Sequence, residues 1–308
     1  MIFKINFIKY WRWTVCLAIL IQFINAQRVS AQSVMLAQYY QNPYLGNPAL
    51  AGISEGLNLN MGLRNQWRNI PGSPLISTFT GDYQLEKVGV GLNIQNMKTG
   101  LFNRNRIVGT YAYHLPLNKK DEMLHFGLSL GVMINKLDIG KIIGEEVDDP
   151  TAQLYNARSL YIDGDFGMAY TTERFTLQGS VPNLKLLLKK DEQYSVEQST
   201  LFLAMSYKLG QSLETTSIEP KIGYRGAIGM ESVVDLGANV SFENRFSFMG
   251  MFHSTKGSSF GFGFTHDKFN IQGFYSTLRA AQREPTGGSF EVSVKVHLMK
   301  NGKSGSTY

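Results

Sequence analysis

Five histidines, one acidic run and two glycine doublets are the places where this 308-residue chain could carry chemistry. The histidines are His114, His125, His253, His266 and His297. None lies in a His-Glu-x-x-His pattern or beside paired cysteines, the spacings that turn two ligands toward one metal. Each reads as a structural strand or turn residue. Glu145, Glu146, Asp148 and Asp149 could chelate calcium through their carboxylates. The run lacks the glycine and closing glutamate of a regular calcium loop, so it reads as a solvated acidic loop. Lys185, Lys189 and Lys190 offer the opposite charge further along. These two groups are candidate contacts for a partner. Gly89-Val90-Gly91 and Gly261-Phe262-Gly263 alternate with apolar neighbours and read as small inward-facing positions, not as phosphate-binding loops. There is no Gly-x-Ser-x-Gly elbow. Residues for Ser–His or Asp–His hydrolysis exist, but nothing in the sequence gathers them. No enzyme activity, metal or cofactor is expected.

The elements that must position these residues begin with composition. The chain is 43% hydrophobic, 18% charged and 12% aromatic, which excludes disorder and fits one large all-β domain. The net charge of +6 owes part of its size to Lys4, Lys9, Arg12 and Arg28 at the N-terminus. No basic stripe or RNA-binding motif accompanies it, so nucleic acid is not an expected partner. Residues 1–31 have the order of a secretory signal: basic residues, an apolar run from Val15 to Ile24, then small residues. Cleavage after Ala26 or after Ala31 is compatible, and Val29-Ser30-Ala31 favours the second. The apolar run is shorter than the ~20 residues of a membrane-spanning helix. The single cysteine, Cys16, lies inside it, so the mature chain is expected to lack disulfides, zinc thiolates and cysteine nucleophiles.

From Leu57 to Met299 the sequence reads as about fourteen short segments of period two, each near the length of an outer-membrane strand. From Met123 to Asn135 one face carries Leu124, Phe126, Leu128, Leu130, Val132 and Ile134. The other carries His125, Gly127, Ser129, Gly131, Met133 and Asn135. Phe290, Val292, Val294, Val296 and Leu298 likewise oppose Glu291, Ser293, Lys295 and His297. Helical spacing would merge these sets, so they are strand faces. Short turns such as Glu86-Lys87 and Asp267-Lys268 tend to alternate with longer links, including Met97–Asn105, Leu137–Ser159 and Pro182–Ser199. Only closed sheets and helices satisfy every backbone group in lipid, and outer-membrane barrels show this alternation of turn and loop. A soluble barrel or sandwich would also alternate, with its apolar face turned into a core. Polar and small residues on the second face, the link parity and the even strand number favour the membrane barrel. Both termini are then expected on the periplasmic side.

Between signal and first strand runs Gln38-Tyr39-Tyr40-Gln41-Asn42-Pro43-Tyr44-Leu45-Gly46-Asn47-Pro48-Ala49-Leu50-Ala51-Gly52. With Arg64-Asn65-Gln66-Trp67, it resembles the opening of the PorP/SprF family of outer-membrane proteins, which belongs to the type IX secretion and gliding systems of Bacteroidetes. Looser matches continue through Tyr111-Ala112-Tyr113, Asp163-Gly164-Asp165-Phe166-Gly167 and Phe290-Glu291-Val292-Ser293, so the resemblance covers essentially the whole mature chain. It implies a noncatalytic barrel that docks a secreted adhesin or effector, or ties a periplasmic lipoprotein and the secretion apparatus to the outer-membrane bilayer. The expected layout is signal 1–31, a periplasmic or plug segment 32–56, a barrel over 57–299 and a polar tail 300–308. Asn42-Pro43, Asn47-Pro48, Ala49 and Gly52 make the second of these turn-rich. It could fold back as a plug, contact a lipoprotein or simply lead into the first strand. A barrel of this size with an N-terminal plug also resembles long-chain fatty-acid channels, so a channel for small hydrophobic molecules is the alternative.

Overall fold

Period-two alternation leaves each strand with one apolar and one polar face, and closing the sheet decides which face meets which solvent. The computed structural model describes residues 37–117, 121–138, 140, 150–157, 160–185, 200–210, 216–227, 232–277 and 286–298. Fourteen strands follow one another as β1 (Leu57–Gln66), β2 (Leu75–Leu85), β3 (Val88–Thr99), β4 (Phe102–Pro116), β5 (Met123–Leu137), β6 (Leu160–Thr171) and β7 (Phe175–Val181). β8 (Thr200–Tyr207), β9 (Thr216–Ala227), β10 (Val233–Phe242), β11 (Phe246–His253), β12 (Ser258–His266), β13 (Phe269–Thr277) and β14 (Ser289–Leu298) complete the set. Each pairs antiparallel with its sequence neighbours, and β14 returns to β1 to close the barrel. The seam runs from Leu57 opposite Leu298 to Gln66 opposite Ser289.

The apolar faces point outward. Leu128, Leu130, Ile162, Leu236, Phe260 and Ile271 are exposed, Leu130 at 65%. The polar faces point into the lumen, where Asn58, Thr80, His125, Ser129, Asp165, Asp235 and Glu291 are buried. This inversion of a soluble protein's pattern suits a barrel wetted by acyl chains. Outward aromatics occur near both ends of the sheet, among them Tyr113, Tyr207, Phe246 and Phe269 at one end and Phe102, Phe252, Tyr275 and Phe290 at the other. Such rings suit the two membrane–water boundaries.

The end where β1 starts and β14 stops, here the near end, has the tight hairpins. Glu243 and Asn244 both take positive φ, 49° and 51°, the conformation of a two-residue turn that follows strand twist. The far end holds the long links after β5 and β7. One expected long link, Met97–Asn105, is a tight turn around Gly100, which has a φ of 56°. There β3 and β4 run on past the apolar belt, and the Asn96 side chain donates to the side chains of Asn103 (2.8 Å) and Asn105 (2.7 Å). Polar residues on that outward face hid the strand continuation from an alternation test.

Candidate functional site

The lumen is occupied by residues 37–56, the lead segment. Its short pieces are a 3-10 turn at Ala37–Tyr40, one helical turn at Pro43–Gly46 and a second 3-10 turn at Pro48–Leu50, the last two each opened by a proline at the first helical position. Asn47 caps the last by accepting from the Ala49 N–H at 3.0 Å. Elements this short cannot satisfy their own backbone, and the barrel wall bonds both their side chains and some of their backbone groups. Asn42 Nδ2 donates to Thr80 Oγ1 at 2.8 Å, and Tyr44 donates to Thr110 Oγ1 at 2.8 Å. Asn47 Nδ2 donates to the Met168 carbonyl at 3.0 Å. The Gly46 carbonyl accepts from Ser180 Oγ at 2.6 Å, and the Gly52 N–H donates to Asp82 Oδ2 at 3.0 Å. Burial pushes the Tyr39, Tyr40 and Tyr44 phenols above their usual range, so all three stay protonated.

Glycines cut the slot that receives residues 44–52. A Cβ on Gly91 would meet the Tyr44 ring at 2.6 Å. One on Gly89 would run into the Ala51 carbonyl, one on Gly127 into the Pro48–Ala49 backbone and one on Gly167 into the Asn47 side chain. Gly127→Val should therefore expel the segment. Chymotrypsin should cleave the variant after Tyr44 in detergent while leaving the parent intact at that bond; equal resistance would show that the slot tolerates a side chain. Beside the slot, His114 Nε2 lies 3.1 Å from the Ala51 carbonyl, which only accepts, so that nitrogen carries the hydrogen. His114 Nδ1 then accepts from His125 Nδ1 at 2.7 Å, and His125 Nε2 accepts from the Thr171 hydroxyl at 2.8 Å. The two rings form a neutral bracket under the segment.

Toward β8–β13 the segment ends in an apolar cluster, where Tyr39 and Tyr40 lie on Phe202, Ala204, Met249, Met251 and Phe274. Above it sits Asp235, with 0% exposure and four donors. Arg225 supplies Nε and Nη2, both at 2.8 Å, His253 Nδ1 lies at 2.5 Å, and the Tyr39 hydroxyl reaches it at 3.3 Å. His253 Nε2 is 2.8 Å from Ser259 Oγ, which is itself 2.7 Å from Ser276 Oγ. Aspartate, histidine and serine thus stand in the order of a nucleophilic triad. However, Ser259 is 1% exposed, and Arg225 already neutralises the carboxylate. The line ties together five strands and the lead segment; it offers no surface to a substrate.

Of the residues singled out in sequence, Asn42, Pro43, Asn47, Pro48, Ala49 and Gly52 come together in the lumen. Arg64 and Gln66 also face inward, Arg64 opposite Glu291 across the seam. Asn65 points outward at the far rim. Trp67, at a φ of 57°, donates its backbone N–H to the Gly288 carbonyl at 2.8 Å and carries the seam beyond the last strand residues. Lys185 is drawn back to the barrel: its ammonium lies 4.4 Å above the Tyr161 ring and its N–H donates to Asp163 at 2.9 Å. Glu145, Glu146, Asp148, Asp149, Lys189 and Lys190 lie outside the described residues, as do the signal and the tail. Asp235, Arg225 and the Arg106–Asp165 ion pair were not among the sequence candidates. Their only sequence signal is a charged residue on an inward strand position. Among the described residues, no helix is long and apolar enough to cross a membrane and no cluster suits a metal ion.

A closed antiparallel sheet with lipid-compatible walls and a polar interior defines the class: a transmembrane β-barrel. Residues 28–296 match the family model "Type IX secretion system membrane protein PorP/SprF", and the chain belongs to that family. It is thereby an outer-membrane component of type IX secretion. Among solved structures it is similar to the Acinetobacter baumannii outer-membrane protein Omp33, with 6% identity and a TM-score of 0.46, over 80% of this chain and 100% of that one. It is also similar to the CymD monoaromatic hydrocarbon channel, with 12% identity and a TM-score of 0.47, over 88% and 95% of the respective chains. No curated protein matches the chain.

Proposed function

We propose that this protein is a plugged, non-enzymatic docking barrel that holds or receives a secreted adhesin or effector and couples it to the periplasmic secretion or gliding apparatus. The near end, with both termini, faces the periplasm in this reading, and the long links reach the cell surface. The observation that carries it is the lead segment, keyed into a glycine slot and bonded across the lumen, which leaves the barrel a scaffold with two decorated ends. Membership of the type IX family supports the same role. The alternative, a channel for small hydrophobic molecules, needs an open apolar pocket, and Tyr39 and Tyr40 cover the Phe202–Met249–Met251–Phe274 cluster that would supply one. The test is affinity isolation of the tagged barrel from detergent-solubilised outer membranes of its own host. A secreted surface protein or periplasmic lipoprotein should be recovered with it. Recovery of the barrel alone, together with loss of hydrophobic-solute uptake on deletion, would reject docking in favour of transport.

A further inference from the structure

The lead segment fits one wall and leaves a gap at the other. Against β2–β7 it is keyed by glycines and hydrogen bonds, whereas against β7–β10 a crevice opens at the near end. Its inner part, a cavity of about 90 Å³, is lined by Pro43, Leu50, Ile53, Gln178, Ala204 and Met205, among others. Its outer part, about 200 Å³, is bounded by Glu173, Arg174, Lys208, Glu219, Asn239 and neighbouring hydroxyls. The two share Thr176 and Glu219.

We propose that this crevice takes a polypeptide segment of a periplasmic partner: one apolar side chain in the inner cavity, with charged residues of both signs flanking it at the rim. The proposal rests on the docking reading and its orientation. Four observations carry it. Ile53 is 39% exposed at a mouth that faces water and not lipid, so an apolar surface is left uncovered there. The inner cavity has room for a single aliphatic side chain. Gln178 Oε1, buried beside it, has no hydrogen-bond partner among the described residues, and a peptide N–H would supply one. At the rim Glu173, Arg174, Lys208 and the Lys221–Glu219 ion pair (3.2 Å) present both signs side by side, which a peptide bearing both charges around an apolar residue matches and a single ion does not. Two of the flanking turns, Thr172–Arg174 and Glu243–Arg245, are tight. Because the sheet is closed, no strand edge is available, and recognition must come from side chains.

The test places the photo-crosslinker benzoylphenylalanine at Ser206, which lines the inner cavity, and at Asn270 on the opposite wall as a control. Cells of the native host are irradiated, and the linked peptide is sequenced by mass spectrometry. The expected adduct joins Ser206 to a segment of another envelope protein with an apolar residue between charges of both signs. It should be absent at Asn270 and lost when Ala204→Trp fills the cavity or Ile53→Asp charges its lip. Heat-modifiable migration confirms that each variant is folded, and Ile53→Asp, at an exposed site, serves if Ala204→Trp does not fold. No adduct from a folded barrel, an adduct to lipid or a small molecule, or the same adduct at both positions would overturn the proposal. If affinity isolation recovers a partner yet Ser206 stays unlinked, the crevice alone fails; if the barrel comes out alone, the docking reading fails with it.

Discussion

Removing residues 37–54 is expected to turn a silent barrel into a conducting one. Eight strands give an interior that side chains alone can fill, and sixteen or more leave an aqueous channel. Fourteen lies between, so its lumen needs an additional filler, which here is the lead segment. The deleted segment takes with it Tyr39, Tyr40, Tyr44 and Leu50, all buried. What remains on that wall is Thr80, Asp82, Thr110, Ser129 and the slot glycines, a surface that water can wet. Single-channel steps in a planar bilayer should appear for the truncated protein and be absent, or rare and brief, for the parent. A truncated barrel that folds by heat-modifiable migration and still passes no current would show that the wall side chains and the links close the lumen by themselves.

The second large effect is expected at Asp235. Replacing it with alanine strips Arg225, His253 and Tyr39 of a shared acceptor in one step. Removing one partner of a buried ion pair leaves an uncompensated charge, and the cost is on the order of 3–5 kcal/mol. The urea midpoint of the folded barrel, followed by tryptophan fluorescence in detergent, should fall accordingly. Asp235→Asn should lie between alanine and the parent, because it keeps one carbonyl acceptor. Replacing the pair together, Arg225→Met with Asp235→Leu, should recover most of the loss, since no stranded charge remains. If the double variant is as unstable as Asp235→Ala, His253 and Tyr39 carry the effect and not the ion pair.

Much of this fold could be read from the chain because a bilayer is a strict reader of strand faces. A slip of one residue would send every leucine of β5 inward and every polar residue into lipid. That constraint fixed β1, β2, β7, β10 and β11 at the residues where alternation starts and stops. It fades where strands leave the hydrocarbon, which is why the β3–β4 hairpin looked like a loop. The lumen follows no such rule. Asp235 meets Arg225 and His253 at short separations, but it meets Tyr39 across 196 positions. Only closure of the sheet creates that contact. Gly89 and Gly91 were recognisable as small inward positions, while the backbone they make room for was not, because nothing local pairs Gly89 with Ala51.

The β1–β14 seam also bears on how the molecule is made. Its ten-position register, from Leu57–Leu298 to Gln66–Ser289, joins the first strand synthesised to the last. Until Leu298 is delivered, β1 and β13 both present bare edges, with backbone donors and acceptors that acyl chains cannot answer. A chain cut short by even one hairpin is therefore a sticky ribbon and not a smaller cylinder. Biogenesis must wait for the final strand, and any folding factor that guards the nascent edge has to let go only when the circle is complete.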